Sequence, residues 1–240
     1  MSEPINQSLL KHIGIIMDGN GRWAQKKLLP RMIGHQQGIK SLKKIVKHVG
    51  SLKIPYLSVF AFSTENWLRP QSEVSFLMQL LYDNLKQEVN ILNQQNVKLQ
   101  FIGNRDNLSD KLKELIITSE ASTTNNSGLH LLIGLNYSGQ YDITQAVNKL
   151  IAQKLSSNSN KHTITANDFS QQLLTANIPD LDLLIRTGGE SRISNFMLWQ
   201  VAYSELYFTN KLWPAFTPKE LDKALAWFYT RNRKFGQLLP

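Results

Sequence analysis

The stretch I-G-I-I-M-D-G-N-G-R-W-A, residues 13–24, decides how the rest of the sequence is interpreted. Its first five residues are an apolar run typical of a buried parallel strand, and the glycines that follow permit a turn into a helix. Backbone N–H groups at such a turn, together with Arg22, can approach an anion. The stretch predicts an α/β protein with a phosphate-binding turn at a strand end; an ordinary strand-to-helix connection is the alternative.

The same alternation continues along the chain. Apolar, β-rich runs predict strands at 13–17, 56–63, 97–102, 129–135, 181–186 and 205–208. Helical spacing of apolar residues predicts helices from Ile39 to Leu52, from Ser72 to Leu92, and at 109–124, 141–155, 166–176 and 218–231. We predict a single α/β domain over residues 1–240, with a mostly parallel sheet of about six strands flanked by helices. Residues 1–11 are predicted to be a flexible N-terminus and 156–162 a mobile loop.

Composition excludes several classes of protein. The 240 residues include no cysteine, which removes disulfides, Cys-ligated zinc, iron–sulfur clusters and thiol nucleophiles. No run approaches the ~18 apolar residues of a membrane span, and Glu3 stands where a signal peptide would be basic. We therefore expect a soluble, cytoplasmic protein. With 27 Lys and Arg against 18 Asp and Glu, the net charge of +9 suits nucleic acid, an anionic membrane or phosphorylated small molecules.

The distribution of charge favours phosphorylated ligands. No Asp or Glu occurs from Gly19 to Thr64, whereas this stretch contains nine basic residues: Arg22, Lys26, Lys27, Arg31, Lys40, Lys43, Lys44, Lys47 and Lys53. Asp18 directly precedes the turn, where it would repel a pyrophosphate unless a divalent cation bridged the two. Mg²⁺ suits such oxygen ligands, and Glu205 could join Asp18 as a second carboxylate on one metal. A surface position is the plainer interpretation of Glu205.

Two further predicted strands end in polar motifs. The second leads into S-T-E-N-W-L-R-P, residues 63–70, and the fifth into R-T-G-G-E-S-R-I-S-N, residues 186–195. Because ligands bind at the carboxyl ends of strands in an open parallel sheet, we expect these motifs to form a ligand-orienting loop and a second anion site. A helix start with Trp67 packed on the sheet, and a common double-glycine turn, are the alternatives.

Taken in order, six motifs closely resemble the cis-prenyltransferases, from about His12 to Gly236. They are H-I-G-I-I-M-D-G-N-G-R-W-A, L-P-R-M-I-G-H-Q-Q-G, F-S-T-E-N-W-L-R-P, N-Y-S-G-Q-Y-D-I, R-T-G-G-E-S-R-I-S-N-F-M-L-W-Q and E-L-Y-F-T-N-K-L-W-P. The resemblance implies successive condensation of isopentenyl diphosphate onto farnesyl diphosphate, giving undecaprenyl diphosphate for a cell-wall lipid carrier. It also implies Mg²⁺, a homodimer, peripheral contact with the inner face of the membrane and no nucleic-acid partner.

Site residues carry over from the resemblance position by position. Asp18 and Glu205 would bind Mg²⁺. The allylic diphosphate would be held, and its chain covered, by Gly19, Asn20, Gly21, Arg22, Arg31, His35 and Trp23. The junction between substrates would be ordered by Ser63, Thr64, Glu65, Asn66, Trp67 and Arg69. Isopentenyl diphosphate would be bound by Arg186, Arg192, Ile193 and Ser194. Asn66 would assist proton removal, but a neutral amide is a poor base and diphosphate is the alternative acceptor.

The resemblance further implies an apolar tunnel for the growing chain. Phe76, Met78 and Leu80 lie beside the main apolar stripe of the predicted 72–92 helix, which suits a tunnel wall as well as ordinary burial.

The chain departs from the family pattern at three positions: Ser191 stands where some members have His, and Gln140 and Lys234 stand where Arg is usual. Lysine at the last keeps the charge but loses bidentate geometry.

Two alternative functions remain at this point. An NADP-linked oxidoreductase is supported by the G-x-G-x-x-A match at residues 19–24 and the basic helix after it. A non-catalytic prenyltransferase subunit is disfavoured because the aspartate and the arginines are retained.

Overall fold

The computed structural model describes residues 10–156 and 163–231. The predicted flexible N-terminus and mobile loop fall largely outside these residues, and Lys234 falls outside them entirely.

Six strands form one sheet, as predicted. They are β1 His12–Ile16, β2 Tyr56–Ser63, β3 Lys98–Ile102, β4 His130–Tyr137, β5 Leu183–Arg186 and β6 Glu205–Phe208. Their order is β3-β4-β2-β1-β5-β6, and all five neighbouring pairs are parallel. The predicted fold class is confirmed, and the strand ends differ from the predicted ones by no more than two residues.

Seven helices connect the strands in the described residues: α1 Asn20–Gln25, α2 Arg31–Ser51, α3 Gln71–Gln94, α4 Asp110–Thr123, α5 Gly139–Ser156, α6 Ala166–Ser170 and α7 Pro218–Tyr229. Two 3₁₀ turns lie at Thr64–Leu68 and Trp213–Ala215. The predicted 166–176 helix is wrong beyond Ser170. The backbone N–H of Leu174 bonds instead to the carboxylate of Asp142, at 2.8 Å, and the segment continues as turns.

Alternate strand residues pack on opposite faces of the sheet. Ile13 and Ile15 of β1 belong to the main core, with buried side chains of α2, α3, α4 and α7, whereas Ile16 packs on the other face against Phe196 and Met197. Every residue of β1 and β5 is buried. These two strands are therefore rigid supports for whatever follows their carboxyl ends.

The topology brings two motifs side by side. From β1 the chain passes to β2 on one side of the sheet, and from β5 it passes to β6 on the other side. A crevice forms where the connections diverge, and ligands bind there in open α/β sheets. Since β1 and β5 are neighbours, Asp18 and Arg186 lie across this crevice from each other.

Candidate active site

The carboxylate of Asp18 lies between two arginines. Its Oδ1 is 3.0 Å from Nη2 of Arg22, and its Oδ2 is 3.0 Å from Nη2 of Arg186. Partial burial acts to raise the pKa of Asp18, but hydrogen bonds from Arg186 and Arg22 outweigh it and leave the pKa below its usual value. Asp18 is therefore ionised at neutral pH.

Arg186, the last residue of β5, is the most buried arginine of the site, with its side chain 5% exposed. Its Nη1 donates to the backbone carbonyl of Arg192 and to Oγ of Ser194, both at 2.6 Å. Its Nε is buried without a hydrogen-bond partner among the described residues. These bonds hold the guanidinium in one orientation and leave its Nε–H free to donate a hydrogen bond to a ligand.

Two glycines permit the close approach of these loops. Gly19 adopts φ +104° immediately before α1, and Gly188 adopts φ +92° after β5. A Cβ at Gly188 would lie 2.6 Å from Nη2 of Arg22 and 3.1 Å from Cγ of Asp18. The glycine pair predicted to form an anion site thus supports the Asp18 and Arg22 pairing directly.

A second acidic centre is Glu73, on the first turn of α3. Its carboxylate is 3.1 Å from Nη1 of Arg69, 3.6 Å from Nε of Arg31 and 3.7 Å from Nε2 of His35. Burial lowers the pKa of His35 to about 4, because the favourable effect of Glu73 does not offset it and Arg69 and Arg31 oppose protonation. His35 is therefore neutral at neutral pH. Glu73 joins residues of α2 and of the loop after β2 into one cluster.

The loop after β2 is fixed by its own hydrogen bonds. The side-chain oxygen of Asn66 accepts from the backbone N–H of Ser63 at 3.2 Å. Nε1 of Trp67 donates to Oδ1 of Asn136 at 2.8 Å, and its ring meets Phe62 edge-on. Trp67 therefore packs on the sheet, as the alternative interpretation held, and it does not line the cavity described below.

Other predicted residues lie around this centre. Glu65 accepts from Nδ2 of Asn195 at 3.0 Å, which ties the Thr64 loop to the loop after β5. Arg192 is paired with Glu190 at 2.6 Å, and Ile193 packs against the smaller core. Three residues lie at the periphery: Trp23 has Lys27 over its ring, and Ser191 and Gln140 are exposed.

Glu205 lies elsewhere. Ile13 pairs with Leu183 and Leu183 with Glu205, so Glu205 is level with a residue five positions before Asp18. At about 3.3 Å per residue, the backbone positions of the two residues are offset by roughly 16 Å along the strands. Glu205 is the first residue of β6, and in a parallel sheet the first residues of the strands lie at the opposite end from the loops that follow the strands. Within one chain Glu205 therefore does not meet Asp18 and instead faces Arg231 at 3.4 Å. A metal ion shared by the two residues stays a prediction that a single chain does not test.

A cavity of about 690 Å³ connects the charged cluster to the space between the sheet and helices α2 and α3. Its polar end is lined by Asp18, Asn20, His35, Asn66, Arg69, Arg186, Arg192 and Ser194. Its remaining wall is mostly apolar and includes Ile39, Leu42, Val46, Leu77, Leu81, Leu85, Leu92, Ile133 and Leu135.

Helix α3 is the main wall of this cavity. The lining extends from Leu77 to Gln95, about 27 Å at 1.5 Å per residue. Only Val74 and Leu85 of its 24 residues are buried, because most of its other apolar side chains face the cavity. Of the three extra apolar residues noted in the sequence, Met78 and Leu80 line the cavity and Phe76 does not.

Sequence reasoning missed several residues that shape the site. Glu73 and Glu190 hold arginines that the sequence did select, and the Lys43–Glu88 pair, at 2.7 Å, bridges α2 and α3 beside the cavity. The sequence did contain a signal for Glu73. Residues 19–64 contain arginines but no Asp or Glu, so a carboxylate that pairs with these arginines had to come from another part of the chain. Glu190 lies within the R-T-G-G-E-S-R-I-S-N motif, but the sequence indicated no role for it.

No group of three or more His, Cys, Asp or Glu that could hold a metal occurs among residues 10–156 and 163–231. Asp18 alone offers a hard anionic oxygen at the polar end of the cavity. Mg²⁺ commonly takes one or two protein carboxylates together with substrate phosphates and water, so this donor set fits it when diphosphate is present.

Comparisons with known proteins identify the family. Residues 16–236 match the family model described as "Putative undecaprenyl diphosphate synthase". An isoprenyl transferase of Neisseria meningitidis serogroup B is 50% identical over 227 residues, which are 95% of this chain and 89% of that protein. The (2E,6E)-farnesyl-diphosphate-specific ditrans,polycis-undecaprenyl-diphosphate synthase of Vibrio vulnificus is 44% identical, covering 98% and 94%.

A solved structure is similar over nearly the whole chain. Lavandulyl diphosphate synthase from Lavandula x intermedia, in complex with dimethylallyl diphosphate, superposes with a TM-score of 0.93 at 35% identity, covering 97% of this chain and all of that one. The oxidoreductase alternative therefore falls away: the chain belongs to the undecaprenyl diphosphate synthase family of cis-prenyltransferases.

Proposed function

We propose that the protein catalyses Mg²⁺-dependent condensation of isopentenyl diphosphate onto farnesyl diphosphate, repeatedly, to give a long-chain polyprenyl diphosphate. The observation that carries the proposal is one cavity that joins Asp18, Arg69, Arg186 and Arg192 to a long apolar interior. A molecule with a diphosphate head and an isoprenoid tail matches both ends.

Two groups of basic side chains suit two diphosphates. Arg22, Arg31 and Arg69 lie on the α1, α2 and β2-loop side, whereas Arg186 and Arg192 follow β5. Each of these five arginines is paired with a carboxylate of Asp18, Glu73 or Glu190. These carboxylates hold the guanidinium groups in place, and an arriving diphosphate would compete for the same donors.

Asp18 would hold Mg²⁺ together with diphosphate oxygens, and the ion would neutralise the charge that develops on the leaving diphosphate. The C–O bond of the allylic substrate breaks with its electron pair passing to diphosphate. The double bond of isopentenyl diphosphate then forms the new C–C bond, and a proton is lost. Fixed positive charge at the diphosphate is the main contribution of this chain to catalysis.

Asn66 is an unsuitable proton acceptor. Its side-chain oxygen already accepts from the N–H of Ser63, and an amide is weakly basic. His35 is neutral, but its Nε2 lies against Glu73. We infer that a diphosphate oxygen removes the proton and that Asn66 shapes the loop.

The apolar part of the cavity would take the growing chain and exclude water from the allylic cation. Exposed Leu206, in the edge strand β6, and exposed Tyr203, just before it, support a homodimer through that edge. A lipid product supports action in the cytoplasm at the inner face of the membrane, as a supplier of a cell-wall lipid carrier. No helix in the described part of the chain is long and apolar enough to cross a membrane.

Release of diphosphate tests this proposal. We expect release only when both substrates and Mg²⁺ are present, and abolition by a chelator. Asp18→Ala should lose turnover while it still binds farnesyl diphosphate, since the arginines remain. Glu114→Ala, at a carboxylate on α4 outside the cavity, is the matched control. Turnover by Asp18→Ala would contradict the metal role of this residue.

A further inference from the structure

The connection between α1 and α2 presents apolar side chains to solvent. Leu28 is 96% exposed, and Leu29, Met32 and Ile33 are 40%, 45% and 38% exposed. Lys26 and Lys27 adjoin them and are also exposed. We call these six residues the Leu28 patch. Contiguous apolar surface of this kind marks interaction sites, whereas single exposed apolar residues are ordinary.

The backbone at Leu28 makes a structural role for its side chain implausible. Leu28 adopts φ +56°, in the left-handed region that residues with a Cβ rarely occupy and that glycine occupies freely. A leucine there would be explained by packing, but this side chain makes almost none. The Leu28 side chain therefore adds almost no packing to the fold and is available for contact with a partner outside the chain.

The patch lies next to the polar end of the cavity. Arg31, within the same segment, is 3.6 Å from Glu73. Its guanidinium also lies against Gly21, where an added Cβ would meet Cζ at 2.8 Å. Helix α1, only six residues and about 9 Å long, separates the patch from the turn at Asp18.

The charge around the patch has one sign. The chain contains no Asp or Glu from Gly19 to Thr64, and Nζ of Lys27 lies 4.7 Å from the ring centre of Trp23. Carboxylates of other elements approach this stretch, and they pair with basic residues outside the patch: Glu73 with Arg31 at 3.6 Å, Glu190 with Arg22 at 3.6 Å and Glu88 with Lys43 at 2.7 Å. Neither Lys26 nor Lys27 forms an ion pair within residues 10–156 and 163–231, and apolar side chains interleaved with such lysines are complementary to an anionic lipid surface.

We propose that the Leu28 patch docks the protein on an anionic lipid bilayer. Leu28 and Leu29 enter the boundary between headgroups and acyl chains, and Lys26 and Lys27 lie among the lipid phosphates. Docking brings the polar end of the cavity close to the bilayer, where a polyprenyl product can partition. This last consequence rests on the proposed function, whereas the docking itself does not.

Sedimentation with lipid vesicles tests the proposal. The protein should bind vesicles containing phosphatidylglycerol and bind phosphatidylcholine vesicles much more weakly. Leu28→Gly should lower the partition coefficient about tenfold, since a nearly whole leucine side chain leaves the bilayer. Removing either lysine as Lys26→Gln or Lys27→Gln should lower it about fivefold at low salt. Leu155→Ala truncates another highly exposed leucine, 84% exposed on α5, and should leave vesicle binding unchanged.

Stability and activity separate the possible outcomes. Leu28→Gly should unfold at the same or higher urea concentration, because glycine suits the backbone there. Vesicle binding by Leu28→Gly equal to that of the wild type would overturn the proposal, as would an equal loss in Leu155→Ala. Loss of self-association rather than vesicle binding in Leu28→Gly would also overturn it. Failure of the proposed function would give a different result: the wild-type protein would form no condensation product, whether or not vesicles are present.

Discussion

Replacement of Arg186 by lysine is the sharpest test of how the site is built. The guanidinium makes three hydrogen bonds through two nitrogens, to the carbonyl of Arg192, to Ser194 and to Asp18. A lysine ends in one nitrogen, so it keeps the charge but can occupy only one of the two positions. At least one charge-assisted hydrogen bond is lost, and at most two.

Each such bond contributes about 1.5–3 kcal/mol, so the loss of one or two of them in Arg186→Lys should cost about 1.5–6 kcal/mol, divided between folding and transition-state binding. If all of the smallest figure appears in catalysis, kcat/KM for isopentenyl diphosphate falls about 13-fold, since 1.36 kcal/mol is a factor of ten. The pKa of Asp18 should also rise, because the hydrogen bond from Arg186 helps to lower it.

Initial rates with radiolabelled isopentenyl diphosphate and urea unfolding measure the two parts separately. Arg105→Lys is the matched control, because Arg105 forms a two-oxygen pair with Glu120, at 2.8 and 2.9 Å, outside the cavity. We expect its kcat/KM to stay within about twofold of wild type. If Arg186→Lys keeps kcat/KM within threefold and unfolds at the wild-type urea concentration, the guanidinium does not organise the site as argued.

Three further predictions follow from neighbouring residues. Glu73→Gln should raise KM for farnesyl diphosphate about tenfold with a smaller effect on kcat, because Arg31 and Arg69 lose their shared anchor; an unchanged KM would contradict this. Gly188→Ala should cost about 1–3 kcal/mol in urea unfolding and reduce turnover, since φ is +92° and the Cβ meets Arg22; wild-type behaviour would contradict it. The free energy of unfolding should fall as the pH is lowered from 6.5 towards 4. Burial lowers the pKa of His12, His35 and His130 to about 4 in the folded chain, so only the unfolded chain takes up protons in this window. Urea unfolding at several pH values should show about 1.4 kcal/mol per pH unit for each such proton, and a flat profile would contradict the assignment.

The inner part of the sheet was predictable because β1, β4 and β5 are buried almost throughout and are largely apolar runs. The end of α6 was not, since it depends on the carboxylate of Asp142, which is 32 residues from Leu174 along the chain. Helical periodicity alone does not show which backbone N–H a distant side chain will take.

The site residues that lie at the carboxyl ends of strands could be predicted from the sequence. Asp18 and Arg186 come together because β1 and β5 are neighbours, and both were chosen as residues following apolar strands. Within one chain Glu205 does not lie beside Asp18, because it begins β6 and the start of a parallel strand lies opposite the loops that follow β1 and β5. Glu73 was missed because its role arises only when α3 packs near α2, and no local motif records that contact.

The central claim is that the charged cluster and the apolar cavity act on one elongating molecule. Mass analysis of lipid extracted after incubation with farnesyl diphosphate, isopentenyl diphosphate and Mg²⁺ tests it most directly. We predict a series of polyprenyl diphosphates spaced by one five-carbon unit and ending in a dominant long chain. Recovery of unchanged farnesyl diphosphate alone would contradict the account.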